Sequence, residues 1–183
     1  MPFLEVLTRH FKRPNMLRIN RASLEAQDSG DWVQTILVDE VGRGVAWANA
    51  NLAAYAPRLV GEYVWILDDD DECIRPTFVT ELQQIVADWQ PDVILARMDH
   101  GYSMGVLPDN RHWGQPPVCG YIGCSAFVVR RAVWQAHASA LASGRYEADY
   151  DFIASIFGDE GLLKIWHDVV ASRVQRVSRG EAE

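Results

Sequence analysis

The sequence predicts an α/β fold, with one mostly parallel sheet flanked by helices in a single domain over residues 1–183. Three observations lead there. Runs rich in β-branched residues alternate with segments of helical period along the chain, the pattern of strand–helix–strand units. Tyr63–Leu67 is apolar throughout, as a strand buried on both faces requires. No interdomain linker or internal repeat interrupts the 183 residues, and a chain of that length can bury a full core without disulfides or metals as staples.

The elements follow in order. Phe3–Leu7 reads as a first strand and Thr8–Pro14 as a basic loop. Asn15–Gln27 carries apolar residues at helical spacing, with Asn15 placed to cap it. The cluster Asp28-Ser29-Gly30-Asp31 is a turn, and Trp32–Val38 a second strand. Gly42-Arg43-Gly44 opens a helix that runs to about Tyr55 and ends at Ala56-Pro57, before the third strand, Tyr63–Leu67. Pro76 leads into a helix in which Phe78, Val79, Leu82, Ile85, Val86 and Trp89 share one face. Val93–Met98 is a fourth strand. Asp99–Gly120, rich in glycine and proline, reads as a functional loop. Ser125–Val129 is a fifth strand, Ala132–Ala142 a helix, Phe152–Phe157 a short helix and Leu162–Trp166 a last strand. Residues from about 170 to 183 turn polar and are expected to fray.

Charge narrows the function. The chain carries 17 basic and 25 acidic side chains, a net −8, which argues against a nucleic-acid partner. Five of the acids are consecutive, Asp68-Asp69-Asp70-Asp71-Glu72. Setting them aside leaves 17 basic against 20 acidic groups, or −3, so most of the excess sits in one segment. Adjacent carboxylates repel by about 1 kcal/mol per pair at ~4 Å even in water. In an extended backbone Asp68 and Asp70 point to one side and Asp69 to the other. Paired carboxylates at the carboxyl end of a buried strand suit a hard divalent cation such as Mg²⁺, Mn²⁺ or Ca²⁺, and open α/β sheets bind ligands at that end. The run is too short in glycine and in a terminal glutamate for an EF-hand.

Other motifs add or exclude. Asp39, at the end of the second strand, either accepts hydrogen bonds from a nucleobase or ribose or caps a turn. Gly42-Arg43-Gly44 lacks the third glycine of a dinucleotide fingerprint, no G-x-x-x-x-G-K-[ST] occurs, and Ser125 has no flanking G-x-S-x-G. Asp149, in Glu147-Ala148-Asp149-Tyr150-Asp151, is either a general base or a helix cap. His167 is either a ligand or a structural histidine. Cys73, Cys119 and Cys124 are odd in number and show no C-x-x-C spacing, which suggests buried free thiols in a reducing compartment. With no signal peptide and no apolar run long enough to span a membrane, a cytoplasmic protein is expected.

Taken in order, these residues resemble a family 2 glycosyltransferase of the GT-A, Rossmann-like fold, in a short form. The strongest stretch is Gly61-Glu62-Tyr63-Val64-Trp65-Ile66-Leu67-Asp68-Asp69-Asp70-Asp71, similar to the family segment that carries the metal-binding D-x-D. Thr8, Arg13 and Pro14 resemble the turn after the family's first strand. Val38-Asp39-Glu40 resembles its nucleotide-contacting V-D-D, and Ala148-Asp149-Tyr150-Asp151-Phe152 its E-D-aromatic-D segment. Two departures stand out: Trp47-Ala48-Asn49-Ala50-Asn51 has no arginine where the family commonly reads A-R-N, and residue 148 is alanine where glutamate is usual.

The resemblance implies a metal-dependent, inverting transfer of a sugar from a nucleotide-diphosphate sugar to an acceptor hydroxyl. It implies Asp70 and His167 as ligands of Mn²⁺ or Mg²⁺, and Asp149 as catalytic base. Thr8, Arg13, Asp39, Arg43, Asp68 and Asp69 would form the donor site. Tyr102, Trp113 and Tyr121 would either stack on sugars or anchor the long loop. Two rival readings remain at this stage: a noncatalytic nucleotide- or sugar-binding module on the same scaffold, and a nucleotidyl or phosphoryl transferase. The second would usually show a glycine-rich, lysine-bearing loop, which is absent here.

Overall fold

The computed structural model describes residues 1–175. Its elements are strands β1 (Leu4–His10), β2 (Trp32–Val38), β3 (Tyr63–Ile66), β4 (Asp71–Cys73), β5 (Val93–Asp99), β6 (Val106–Leu107), β7 (Phe127–Arg130) and β8 (Lys164–Val174), with helices α1 (Pro14–Glu25), α2 (Val45–Tyr55), α3 (Phe78–Trp89), α4 (Arg131–His137) and α5 (Ala148–Phe157). Among the described residues the strands form one sheet in the order β2-β1-β3-β7-β5-β8-β4, with β6 paired to β5. Pairing is parallel from β2 through β1 to β3 and between β5 and β8. The strands β7, β4 and β6 run the other way. The expected mostly parallel α/β sheet is therefore present.

The sheet is covered on both faces. Strand alternation sends Val64 and Ile66 of β3 into a core with Leu52 of α2, Trp134 of α4 and Phe152 of α5. Tyr63, Trp65 and Leu67 go to the opposite core with Leu24 of α1 and Phe78 of α3. An all-apolar β3 is what this two-sided burial demands.

Several boundaries differ from the sequence reading, each because of a contact distant in sequence. The first strand does not stop at Leu7. Residues 8–10 continue the ladder, with His10 opposite Val38, because β2 offers them backbone partners. The first helix starts at Pro14, with Arg13 at the cap position, so Asn15 lies inside the first turn. The acidic run itself supplies a strand, β4, which pairs with residues 172–174 of β8. Residues 170–174, expected to fray, are strand because β5 pairs with Val170, Ser172 and Arg173 from one side and β4 with residues 172–174 from the other; residues 176–183 lie outside the described residues.

One buried charge sets the register that places the site. Glu5 in β1 is fully buried, and its carboxylate accepts from Thr35 Oγ1 (2.9 Å), Tyr55 OH (3.2 Å), Val60 N (2.6 Å) and Gly61 N (3.0 Å). These bonds tie the entry of β3 to β1, so that Leu4 faces Tyr63 and Leu7 faces Ile66. Arg9 and His10 then overhang the end of β3. Gly61 is packed so closely that a Cβ there would lie 2.6 Å from Glu5 N.

Glu5→Met removes the single oxygen, Oε2, to which the N–H groups of Val60 and Gly61 both donate, and leaves both without an acceptor. The expected loss is about 1–3 kcal/mol, read as a melting temperature lower by roughly 3–10 °C. An unchanged melting temperature would remove Glu5 as the register lock.

Candidate active site

The overhang of β1 meets the acidic run residue by residue. Leu67 N donates to Leu7 O (3.0 Å) and Asp69 N to Arg9 O (3.3 Å), so the two chains stay paired beyond β3. Strand parity then sorts the side chains. Asp69 continues the Trp65–Leu67 face and is fully buried. It pairs with Arg13 (2.5 Å) and His10 Nδ1 (2.7 Å) and accepts from Phe11 N (3.3 Å). Asp68 continues the Ile66 face and takes Arg9, whose Nε donates at 2.7 Å and whose Nη2 donates to the second oxygen. Asp70 pairs with Arg13.

After Asp68 the backbone turns, with Asp71 N donating to Asp68 O (2.9 Å). Two side-chain amides fix that turn through its carbonyls. Asn20 Nδ2 donates to Asp68 O (2.8 Å) and Asp71 O (3.0 Å), and Gln175 Nε2 to Asp69 O (2.9 Å) and Asp71 O (3.1 Å). The turn brings Asp71 back beside its neighbours: one oxygen each from Asp68, Asp70 and Asp71 lie within 4.8 Å of one another. Sequence reasoning put Asp68 and Asp70 on one side and left Asp71 out of the group, because an extended strand sends residue 71 away from 68 and 70.

The electrostatics are uneven. Burial opposes ionisation of Asp68, but the adjacent Arg9 outweighs it and holds the carboxyl below its ordinary value. Burial, then the charges of Asp68 and Asp70, push Asp71 well above its ordinary value. A cluster that resists carrying all three negative charges is one that a cation stabilises. The donors are oxygens only, which fits a hard divalent ion.

The cluster opens into a cavity of about 630 Å³, within the range of small-ligand sites. Asp39, Trp47, Asn49, Asp68, Asp70, Asp71 and Asp149 line it with Arg9, His10 and Arg13, and Met98, Met104, Leu107 and Ile122 give it an apolar side. Asp149 stands in the first turn of α5. Burial raises its carboxyl above the ordinary value and the charge of Asp68 adds to that, while Arg9 and the N–H of Tyr150 pull it down. Asp39 accepts from the backbone N–H groups of Val41 (3.0 Å), Gly42 (2.9 Å) and Arg43, and so shapes the loop at the cavity edge.

Four expected site residues sit elsewhere. Thr8 is on the other face of β1 from Arg9: its Oγ1 accepts from Gln34 Nε2 (2.9 Å), which also reaches Asn20 Oδ1 (2.7 Å). Thr8 thus supports the acidic turn from beneath and does not line the cavity. Asp69, as described, is committed to β1. Arg43 lies over the Trp47 ring at 4.5 Å. His167 is hydrogen-bonded to Glu81 of α3 at 2.6 Å. Neither His167 nor Glu81 lines the cavity, which β8 reaches only at Val174. The structure does not bring it to the acidic cluster.

The long loop is anchored, not free. Arg97 donates to Pro108 O (2.8 Å) and Asp168 (2.6 Å) and stacks on Trp113 at 4.1 Å, with Trp113 edge-on to Trp166. Trp113 is therefore an anchor, and Tyr121 stacks on His112 at 4.2 Å. Neither these two nor Tyr102 lines the cavity, whereas Tyr146 does. Cys73 and Cys124 are buried free thiols as expected, but Cys119 is exposed.

The topology and the site at the carboxyl end of β3 define a GT-A-type glycosyltransferase fold. Solved structures bear this out. Over 93% of this chain and 60% of theirs, S. aureus TarS 1–349 in complex with UDP superposes with a TM-score of 0.71 at 11% identity. A mannosyltransferase from Pyrobaculum calidifontis in complex with GDP-Man and Mn²⁺ gives 0.64 at 14% identity, over 98% of this chain and 59% of that one. A glycosyltransferase involved in the glycosylation of the major capsid of PBCV-1 gives 0.56 at 12% identity, over 99% and 97%. The chain thus spans about 60% of the length of TarS 1–349 and of the mannosyltransferase. No protein-family model matches the chain, and no curated protein matches it by sequence. Among the described residues no helix is long and apolar enough to cross a membrane.

The placement of His167 has a direct check. Glu81 is held down to about 2. Burial opposes this, but Arg75, Thr77 and His167 more than compensate. A depressed carboxyl stabilises the fold above its unfolded value of about 4.3 and loses that contribution as pH falls toward 2. His167→Ala is expected to lower the melting temperature at pH 7 by a few degrees. An unchanged melting temperature would remove the bond to Glu81 as a stabilising contact.

Proposed function

We propose that the chain is a metal-dependent, inverting glycosyltransferase that moves a sugar from a nucleotide-diphosphate donor to an acceptor hydroxyl. One juxtaposition carries this reading: the three-carboxylate cluster of Asp68, Asp70 and Asp71 shares a cavity with the half-buried carboxylate of Asp149. The same fold binds UDP and UDP-GlcNAc in TarS and GDP-Man with Mn²⁺ in the mannosyltransferase, which supports the donor class and a divalent ion. The PBCV-1 enzyme, matched over 97% of its length, supports the activity in a chain of this size.

The chain's residues divide the work as follows. Asp70 and Asp71, with Asp68, would hold Mn²⁺ or Mg²⁺, which when bound supplies positive charge to the diphosphate leaving group. Asp39 has about four acceptor positions on its carboxylate, three of them used by its own loop, and keeps the remainder for the base or ribose. Asp149 takes the proton from the acceptor hydroxyl as that oxygen attacks the anomeric carbon from the face opposite the diphosphate, which inverts the centre. The buried thiols Cys73 and Cys124 fit a reducing, cytoplasmic setting.

A thermal-shift series tests the donor and the metal together. UDP and GDP are expected to raise the melting temperature with Mn²⁺ and much less with EDTA, and Asp70→Ala should remove the difference. Metal-independent shifts of equal size would count against the cluster as a metal site.

Asp149→Asn is expected to lower release of nucleoside diphosphate from the donor ~100-fold or more with donor affinity unchanged. Unchanged turnover would remove Asp149 as base. Because the base must be deprotonated and burial raises its value, the wild-type rate should fall on the acid side at a pH above the ordinary carboxylate range. An acid limb at or below that range would contradict the assignment.

A further inference from the structure

We propose that Arg9 is a diphosphate-binding residue, contributed by β1 in place of the arginine that α2 lacks. This rests on the glycosyltransferase reading and goes beyond it by naming the cation that meets the donor's phosphates. The case for one rests on the cavity's charge. Besides the metal-type cluster it contains Asp39 and Asp149, and among the described residues the arginines lining it are Arg9 and Arg13. Arg13 is shared between two carboxylates, Asp69 and Asp70, whereas Arg9 meets one, Asp68. A diphosphate brings more negative charge than one divalent ion removes, so a guanidinium close by favours its binding.

The helix that faces the cavity offers none. Its sequence, Val45–Tyr55, contains no arginine or lysine, and Arg43 just before it rests on Trp47 outside the lining. Arg9 reaches the same place from the strand. Its Nη1 donates to Asn49 Oδ1 of α2, its Nε and Nη2 to Asp68, and Nη2 also approaches Cys124 Sγ at 3.5 Å. Of the five guanidinium N–H groups four are thereby directed, and one on Nη1 is left beside Asn49.

A counter-ion for Asp68 alone would need only the Asp68 edge. The second edge, held by a buried asparagine on the helix, fixes the plane of the guanidinium. A planar fork held on two sides is preorganised for phosphate oxygens in a way that a lysine is not.

The test compares two variants that differ only at residue 9. Asp68→Asn keeps Arg9, whereas Arg9→Gln/Asp68→Asn removes the ion pair as a unit and leaves no unpaired buried charge. Binding of UDP and GDP is measured by calorimetry at saturating Mn²⁺, and binding of uridine and guanosine by ligand-observed NMR. The double variant is expected to bind the preferred diphosphate roughly 10–100-fold more weakly than Asp68→Asn, with equal affinity for the nucleoside. Arg9→Lys in the wild-type background, which keeps the charge and loses the fork, should also weaken the diphosphate selectively. Equal diphosphate affinity in the paired variants, or equal weakening of diphosphate and nucleoside, would overturn the proposal and leave the glycosyltransferase reading intact. A wild-type protein that binds neither ligand would overturn both.

Discussion

Everything at this site depends on neutralising an acidic turn at the end of a strand that is buried on both faces. Two of the four aspartates, Asp69 and Asp71, are buried away from solvent, so the charges must be met largely from within the chain. The overhang of β1 does this. Arg9, His10 and Arg13 pair with Asp68, Asp69 and Asp70, and the backbone ladder between Leu7–Arg9 and Leu67–Asp69 holds the two series in step. The register of that ladder traces back to Glu5, whose carboxylate fastens the first residues of β3 to β1. A one-residue slip would reverse every side chain between the faces and carry Arg9 away from Asp68.

Within the run, alternation produces a division of labour. Asp69 faces α1 and is spent on structure, where its two oxygens satisfy an arginine, a histidine and a backbone amide. Asp68 and Asp70 remain toward the cavity, and the turn returns Asp71 to them. Three carboxylates so close are not equally able to stay charged, and the most buried, Asp71, is the one driven toward its protonated form. Asn20 and Gln175 prevent the turn from relieving this repulsion by opening, because each holds two of its carbonyls. The site therefore keeps an unfavourable charge arrangement that a bound cation would relieve, a common way for a fold to store affinity for a ligand.

What the sequence showed and what it hid divide along the same line. The strand Tyr63–Leu67, the acidic run after it and Asp149 were legible because each is a local pattern: an apolar run, a charge block, an acid opening a helix. Asp71 was not, because a four-residue turn overrode the alternation assumed for the run. Thr8 was placed in the donor site with the first strand ended at Leu7; the strand runs on to His10, which turns Thr8 toward Gln34 and Arg9 toward the cavity. His167 had no local partner to reveal its function, and Glu81, its actual partner, lies 86 positions earlier. The last five residues of β8 looked like a polar tail because the strands that flank them, β5 and the acidic segment of β4, come from distant parts of the chain. In each miss the deciding contact is distant in the chain, and no periodicity reports it.

Contacts of the same kind build the cavity's second wall. Residues 99–124 have little regular structure, yet they are tied to the sheet through Arg97, which bonds Pro108, pairs with Asp168 and lies against Trp113. Arg97 is itself a strand residue of β5, nearly buried, so the loop rests on an element as rigid as the one that carries the acidic turn. Met104, Leu107, Gly120 and Ile122 from this loop form the cavity's other wall. Each wall is thus fixed by an arginine at a strand's carboxyl end, Arg9 against the acidic turn and Arg97 against the loop. On the function proposed above, the loop wall is the one that would meet the acceptor. Substitutions that loosen Arg97 should accordingly reshape that wall without disturbing the carboxylate cluster.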